Sequence, residues 1–235
     1  MATKLLYMDD FGVVTCEATV EAVKSTEDGR PAVILDQTCF YPRGGGQDWD
    51  TGKLNSFIVN EVRMDENGDV WHIGEGAAPM VGEPVECKVD IGRRDSNTRL
   101  HSAGHVLDMA MSTVYPDLVP GKGAHYPHMS FVEYQGEPDR DIQGELQAKI
   151  DELLRANITN TLRYVSKEEL AQLCRHVPDN IPSNKPTRVV LYGDYGVPCG
   201  GTHVQHLNDI GKIEVTKVKS KKGITKVGYR VEGIN

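Results

Sequence analysis

The stretch Arg93-Arg94-Asp95-Ser96-Asn97-Thr98-Arg99-Leu100-His101-Ser102-Ala103-Gly104-His105-Val106-Leu107-Asp108-Met109-Ala110-Met111 divides this 235-residue chain into two textures. Its apolar positions Leu100, Ala103, Val106, Leu107, Ala110 and Met111 recur at three and four residues, the period of one helix face. Asp95 is placed to cap that helix, and Pro116 stops it after about Val114. Upstream the period is two. Val13–Val23, Ala32–Leu35, Phe57–Val62 and Val70–Ile73 read as short strands broken by the turns Glu27-Asp28-Gly29-Arg30 and Glu66-Asn67-Gly68-Asp69. Downstream, a second helix is expected from Gln143 to about Ile158. Ser166 and Glu169 form a capping box for a third that ends near Cys174. Strands follow at Arg188–Tyr192, Gly211–Lys219 and Ile224–Val231. The expected fold class is α+β, with a small β-barrel domain over residues 1–92 followed by an α+β domain over 93–235 that carries an antiparallel sheet.

Composition narrows the function classes. The chain has 39% hydrophobic and 26% charged residues and no apolar run near the roughly 20 residues of a membrane span, so a soluble, cytoplasmic protein with no membrane partner is expected. Asp9 and Asp10 stand where a signal peptide needs an apolar centre. Five scattered cysteines, Cys16, Cys39, Cys87, Cys174 and Cys199, argue against a disulfide framework and for thiols or metal ligands. The net charge of -8 disfavours indiscriminate coating of nucleic acid. The tail is nevertheless basic, with Lys212, Lys217, Lys219, Lys221, Lys222, Lys226 and Arg230 against Glu214 and Glu232. Lysines of this kind defend a sheet edge or contact phosphate.

Two pairs of residues carry chemistry. His101 and His105, at i and i+4 on the first helix, present both imidazoles on one face with about 5–6 Å between Cβ atoms. Cys199 and His203 lie in the glycine-bearing segment Pro198-Cys199-Gly200-Gly201-Thr202-His203, where the backbone can turn both side chains to one point. A thiolate with three imidazoles is a donor set that zinc favours over magnesium or calcium. The loop Tyr41-Pro42-Arg43-Gly44-Gly45-Gly46-Gln47 lacks the following Lys and Ser/Thr of a phosphate loop, which disfavours nucleotide binding of that kind. His125 and His128 are placed in a loop between helices, and His206 is a substitute ligand at most.

His101-Ser-Ala-Gly-His105 with Cys199-Gly-Gly-Thr-His203 resembles the HxxxH and CxxxH motifs of the alanyl-tRNA synthetase editing domain and of its free-standing relatives, the AlaX alanyl-tRNA editing proteins. The segment Gly44-Gly45-Gly46-Gln47 followed by Asp50-Thr51-Gly52 is similar to a second element of that family. Ser102 stands where many relatives have threonine, and Arg43 where many have glycine. The length matches the medium, two-domain type, without the aminoacylation and tRNA-anchoring domains of a full synthetase.

The resemblance implies a hydrolase that cleaves the ester of mischarged Ser-tRNA(Ala), and of Gly-tRNA(Ala) as a second substrate, with zinc held by His101, His105, Cys199 and His203. Such an activity answers a physical need, because an alanine pocket rejects an added hydroxyl only about a hundredfold and cannot keep glycine out. Gln47, Thr51, Ser102 and Thr202 are expected substrate contacts beside the loop of Gly44, Gly45 and Gly46. Arg93, Arg94, Arg99, Lys217, Lys219, Lys221 and Lys222 are expected tRNA contacts. Four protein ligands usually close a structural zinc site, so either one is displaced by substrate, the ion expands its coordination, or the metal only shapes the pocket. The competing readings are a non-catalytic zinc module that binds RNA or a synthetase, a small-molecule metallohydrolase, and a Ser-tRNA(Thr) deacylase.

Overall fold

A computed structural model describes residues 2–178, 181 and 185–234 of the chain. It has two compact units, Met1–Asp95 and Ser96–Asn235. In the first, β1 (Lys4–Leu5) pairs in parallel with β4 (Gln37–Thr38), and six strands close a barrel. These are β2 (Thr15–Ser25), β3 (Pro31–Leu35), β5 (Gly52–Leu54), β6 (Phe57–Met64), β7 (Val70–Glu75) and β8 (Pro84–Val89), in the spatial order β2-β3-β7-β6-β5-β8. Alternation decides which side chains enter: in β8, Val85, Cys87 and Val89 are buried while Pro84, Glu86 and Lys88 face out. Val20, Val33, Leu35, Phe40, Leu54, Phe57, Val59, Val62 and Val70 complete that core. Gly52 is required where β5 meets β8, since a Cβ there would lie 2.1 Å from the Lys88 carbonyl oxygen. Short β5, and β8 with its charged alternate positions, were not among the strands expected from sequence.

Helix α1 (Ile91–Val114) begins before the expected Asp95. Asp90 is the residue whose carboxylate accepts the Arg93 backbone N–H, so the cap lies five residues earlier and Asp95 sits inside the helix. From Leu100 to Met111 only Asp108 is not buried. The sequence pattern suggested one apolar face, but the other side of this stretch, with His101, Ser102 and His105, is enclosed as well.

The second unit continues with β9 (Val119–Tyr126), β10 (Met129–Gln135), α2 (Gln143–Ala156), β11 (Asn160–Val165), α3 (Lys167–Leu173), β12 (Thr187–Tyr192), β13 (Tyr195–Pro198), β14 (Ile213–Lys221) and β15 (Ile224–Val231). Two antiparallel sheets result, ordered β14-β15-β10-β9 and β11-β12-β13. The α+β class and the antiparallel sheet are as expected. Helix α2 stops at Asn157, whose left-handed backbone (φ 47°) ends it before Ile158. The Ser166/Glu169 capping box of α3 has both of its hydrogen bonds. The hairpin β9–β10 replaces the expected loop, because Pro120, Gly121 and Gly123 hide β9 from a propensity reading while its partner β10 supplies the ladder. Among the described residues no helix is long and apolar enough to cross a membrane.

Candidate metal centre

His101, His105, Cys199 and His203 converge, each offering a ligand atom within 4.8 Å of the others. Helix α1 supplies the first two, with ring centroids 5.0 Å apart as the i, i+4 spacing requires. The His203 ring lies 4.7 Å from that of His101 and 5.0 Å from that of His105. The Cys199 sulfur is 3.4 Å from His101 Nε2. Cys199 and His203 come from the segment that leaves β13, and several bonds fix its path. Arg188, buried on β12, donates to the carbonyls of Cys199 (2.7 Å) and Gly201 (3.0 Å). Ser102 Oγ donates to the Thr98 carbonyl and accepts the Val204 N–H, and Thr98 and Thr202 share a hydroxyl bond of 2.7 Å. Asn160 of β11 donates to the Val204 carbonyl.

Unmet bonding capacity gathers on the imidazoles, with Asn160 Oδ1 the case outside them that bears on this segment. His203 is fully buried; its Nδ1 is 3.1 Å from the Tyr192 hydroxyl, while Nε2 has no hydrogen-bond partner. An Nδ1–H donated to Tyr192 makes Nε2 the lone-pair atom, the orientation that a metal ligand needs. Neither ring nitrogen of His105 is hydrogen-bonded, and the Asp108 carboxylate stands 3.9 Å from its Nδ1. Asp108 in turn accepts a hydrogen bond from the Tyr134 hydroxyl (2.7 Å). An unsatisfied buried polar atom costs about 1–3 kcal/mol, and here such atoms point to one centre beside a thiol, which fits a bound metal ion.

The electrostatics set His105 apart from the other two imidazoles. Burial opposes protonation of His105, but Asp108 and Cys199 outweigh it and raise its pKa to about 9. Burial alone would raise the Cys199 thiol; His105, the Gly201 N–H and Arg188 bring it below its ordinary value, toward the thiolate that binds metals. Burial, with the neighbouring imidazoles, pushes His101 and His203 well below the usual histidine range, which favours the neutral form that a metal would need.

His125, which the sequence reading put in a loop, lies on β9 and is buried. Its ring stacks on His101 at 4.7 Å and its Nδ1 is 2.6 Å from the Tyr229 hydroxyl, which donates to the Leu100 carbonyl. Gly104 makes room for it: a Cβ there would come within 2.4 Å of the His125 ring. A glycine in a helix interior costs about 1 kcal/mol relative to alanine, and Gly104 was the signal that something packs closely on that turn. Asp108, three residues beyond His105, was legible as its helical neighbour; Arg188, Tyr192 and Tyr229 were not. His206 lies outside the cluster, bonded to Thr159.

The remaining expected site residues belong to both units. Gln47, Thr51 and Gly44–Gly46 belong to the barrel unit, where Gln47 is buried and the loop closes through reciprocal backbone bonds of Gly44 and Gln47. Arg94 is buried; it pairs with Asp50 and donates to the carbonyls of Val13 and Cys39, ties that a phosphate contact would have to break. Arg93 donates to the Trp49 carbonyl and reaches Asp48, and Arg99 donates to the carbonyls of Ile210 and Glu232. Lys217, Lys219, Lys221 and Lys222 are exposed along the β14–β15 hairpin.

The family model described as "tRNA synthetases class II (A)" matches residues 7–93, and that described as "Threonyl and Alanyl tRNA synthetase second additional domain" matches residues 187–232. The chain is 30% identical to alanyl-tRNA editing protein AlaX-M of Pyrococcus horikoshii, with 93% of this chain and 92% of that protein aligned. It is also 30% identical to AlaX-L of the same organism over 98% of this chain, and spans 59% of that longer protein. With the alanine–tRNA ligase of Archaeoglobus fulgidus it shares 31% identity over 93% of this chain, but spans only 24% of the ligase. The match to AlaX-M runs through nearly the whole of both chains, and by it this chain belongs to the AlaX family of alanyl-tRNA editing proteins.

Proposed function

We propose that the protein is a zinc-dependent aminoacyl-tRNA deacylase that hydrolyses Ser-tRNA(Ala), and Gly-tRNA(Ala) as a second substrate, while sparing Ala-tRNA(Ala). The observation that carries this reading is the buried convergence of Cys199 with three imidazoles whose partnerless nitrogens include His203 Nε2. Membership of a family named for alanyl-tRNA editing supports the substrate class.

His101, His105, Cys199 and His203 would hold the zinc, which when bound supplies a Lewis acid for the ester to be cleaved. The residues around them do the positioning. Tyr192 keeps the proton of His203 on Nδ1, Asp108 faces His105, and Arg188 with Ser102 and Thr98 fixes the segment that carries Cys199 and His203. Ser102 and Thr202 already have partners within the unit, so their proposed part in substrate contact passes through this local network. Gln47 and Thr51 remain proposed substrate contacts in the barrel unit. Residues 1–92 and 93–235 remain the proposed functional division. Lys217, Lys219, Lys221 and Lys222 are the proposed tRNA contacts, with Arg93 and Arg99 better explained by the carbonyls they already bind. An activity on charged tRNA also implies a cytoplasmic location.

Ser-tRNA(Thr) is the second reading, favoured by the match at residues 187–232 to a domain described for both threonyl and alanyl synthetases. The test offers Ser-, Gly- and Ala-charged tRNA(Ala) and Ser-tRNA(Thr) to the intact protein and to Cys199→Ala. Rapid loss of serine from tRNA(Ala) with the intact protein alone is expected. Serine esters stable in every tube would remove the deacylase reading, and faster release from tRNA(Thr) would reassign the substrate.

A further inference from the structure

On the solvent face of the sheet β14-β15-β10-β9 lies a groove of about 430 Å³, a volume in the range of small-ligand pockets. Ladder register explains it. Lys217, Gly228 and Phe131 stand side by side across β14, β15 and β10, and Lys219, Lys226 and Glu133 form the next row. The absent side chain of Gly228 leaves the depression, and it cannot be filled cheaply, since a Cβ would sit 2.9 Å from Thr216 Oγ1. The register shift between Val215 and Lys217 makes Thr216 the bulged residue of β14, a device that re-aims neighbouring side chains.

The lining joins an apolar floor to a cationic rim. Met129, 46% exposed, supplies the accessible apolar floor, while Phe131 beneath it is only 5% exposed and is covered by the Lys226 side chain. Lys217, Lys219, Lys226 and Arg230 supply the rim, and no carboxylate belongs to the lining. Arg230 is held by Glu214, and Lys226 Nζ lies 3.2 Å from the Phe131 ring centroid with Glu133 at 3.9 Å. Lys217 and Lys219 have no ion-pair partner among the described residues. In a chain of net charge -8, an unneutralised lysine pair beside an exposed methionine is a local preference for an anion with an apolar part.

We infer that this groove seats an unstacked nucleotide of an RNA strand, its phosphates on Lys217 and Lys219 and its base against Met129, over the stacked Lys226–Phe131 pair. This rests on the reading of the substrate as tRNA, and it moves the main contact from the hairpin tip at Lys221 and Lys222, outside the lining, to the sheet face. An acidic peptide would use the cations but leave the apolar floor idle.

The test is fluorescence anisotropy of the full chain with a labelled single-stranded hexaribonucleotide, titrated between about 50 and 200 mM salt, where phosphate contacts are read from the slope. Lys217→Glu/Lys219→Glu should weaken binding about tenfold or more and flatten the log–log salt slope by about 1.4, the value for two phosphates on a single strand. Met129→Glu, an exposed substitution that does not threaten the core, should weaken binding too, while the charge-matched control Lys167→Glu/Lys185→Glu should not. Absence of binding by the unmodified protein, equal loss in the control, or tighter binding of a hexaglutamate peptide would overturn the inference. The probe carries no ester, so a protein that binds it normally yet leaves every seryl-tRNA intact would refute the deacylase reading and leave the groove standing.

Discussion

His72 in the barrel unit and His203 in the second unit are both completely buried, yet the protein treats them differently. His72 has both nitrogens engaged, Nδ1 with the Val33 carbonyl at 3.0 Å and Nε2 with the Thr38 hydroxyl at 2.8 Å, and Thr38 Oγ1 accepts the Phe40 N–H. It is a core residue whose polar atoms the fold satisfies. His203 has one nitrogen satisfied by Tyr192 and the other bare, and His105 beside it has neither hydrogen-bonded. The difference separates a histidine whose polar atoms the fold satisfies from histidines whose unmet bonding capacity converges on a thiol.

The comparison can be broken first at His72. Burial lowers its pKa to about 4, from an unfolded value near 6.5. The unfolded chain therefore binds the extra proton first, and stability falls as pH drops from about 6.5 toward 4, by about 3 kcal/mol for this group. Both tryptophans, Trp49 and Trp71, lie in the barrel unit, so urea unfolding followed by their fluorescence reads that unit. His72→Gln should remove much of the acid sensitivity between those limits. An unchanged pH profile would mean that His72 is not the core acid sensor described.

A smaller effect sharpens the other half. Tyr192→Phe removes the hydroxyl that orients His203 while keeping the ring in the core. Metal affinity, measured by competition with a chromophoric chelator, should fall by about 10–100-fold, the usual effect of losing a partner behind a ligand. Unaltered affinity would show that the tautomer of His203 is fixed by something else.

The sequence was most legible where local chemistry repeats. The periodicity around Leu100 to Met111, the capping box of Ser166 and Glu169, and the glycine turns at Gly29 and Gly68 each act over a few residues and appear as expected. The four candidate ligands were legible too, because two short motifs each bring their own pair together. What stayed hidden depends on contacts far apart in the chain. β9 forms because β10 pairs with it despite Pro120 and two glycines. His125 reaches His101 only through that hairpin, and Tyr229 meets it from 104 residues away. Arg94 looked like a free cation beside Arg93, but its partner Asp50 lies 44 residues upstream.

His101, His105, Cys199 and His203 are proposed to hold one zinc ion together. Metal content by inductively coupled plasma mass spectrometry, on protein purified without chelators or metal-affinity resin, tests it most directly. One zinc per chain is expected, lost in Cys199→Ser while circular dichroism at neutral pH still reports the barrel strands. Zinc absent from the unmodified protein, or retained at full stoichiometry when Cys199 and His203 are both replaced, would contradict it.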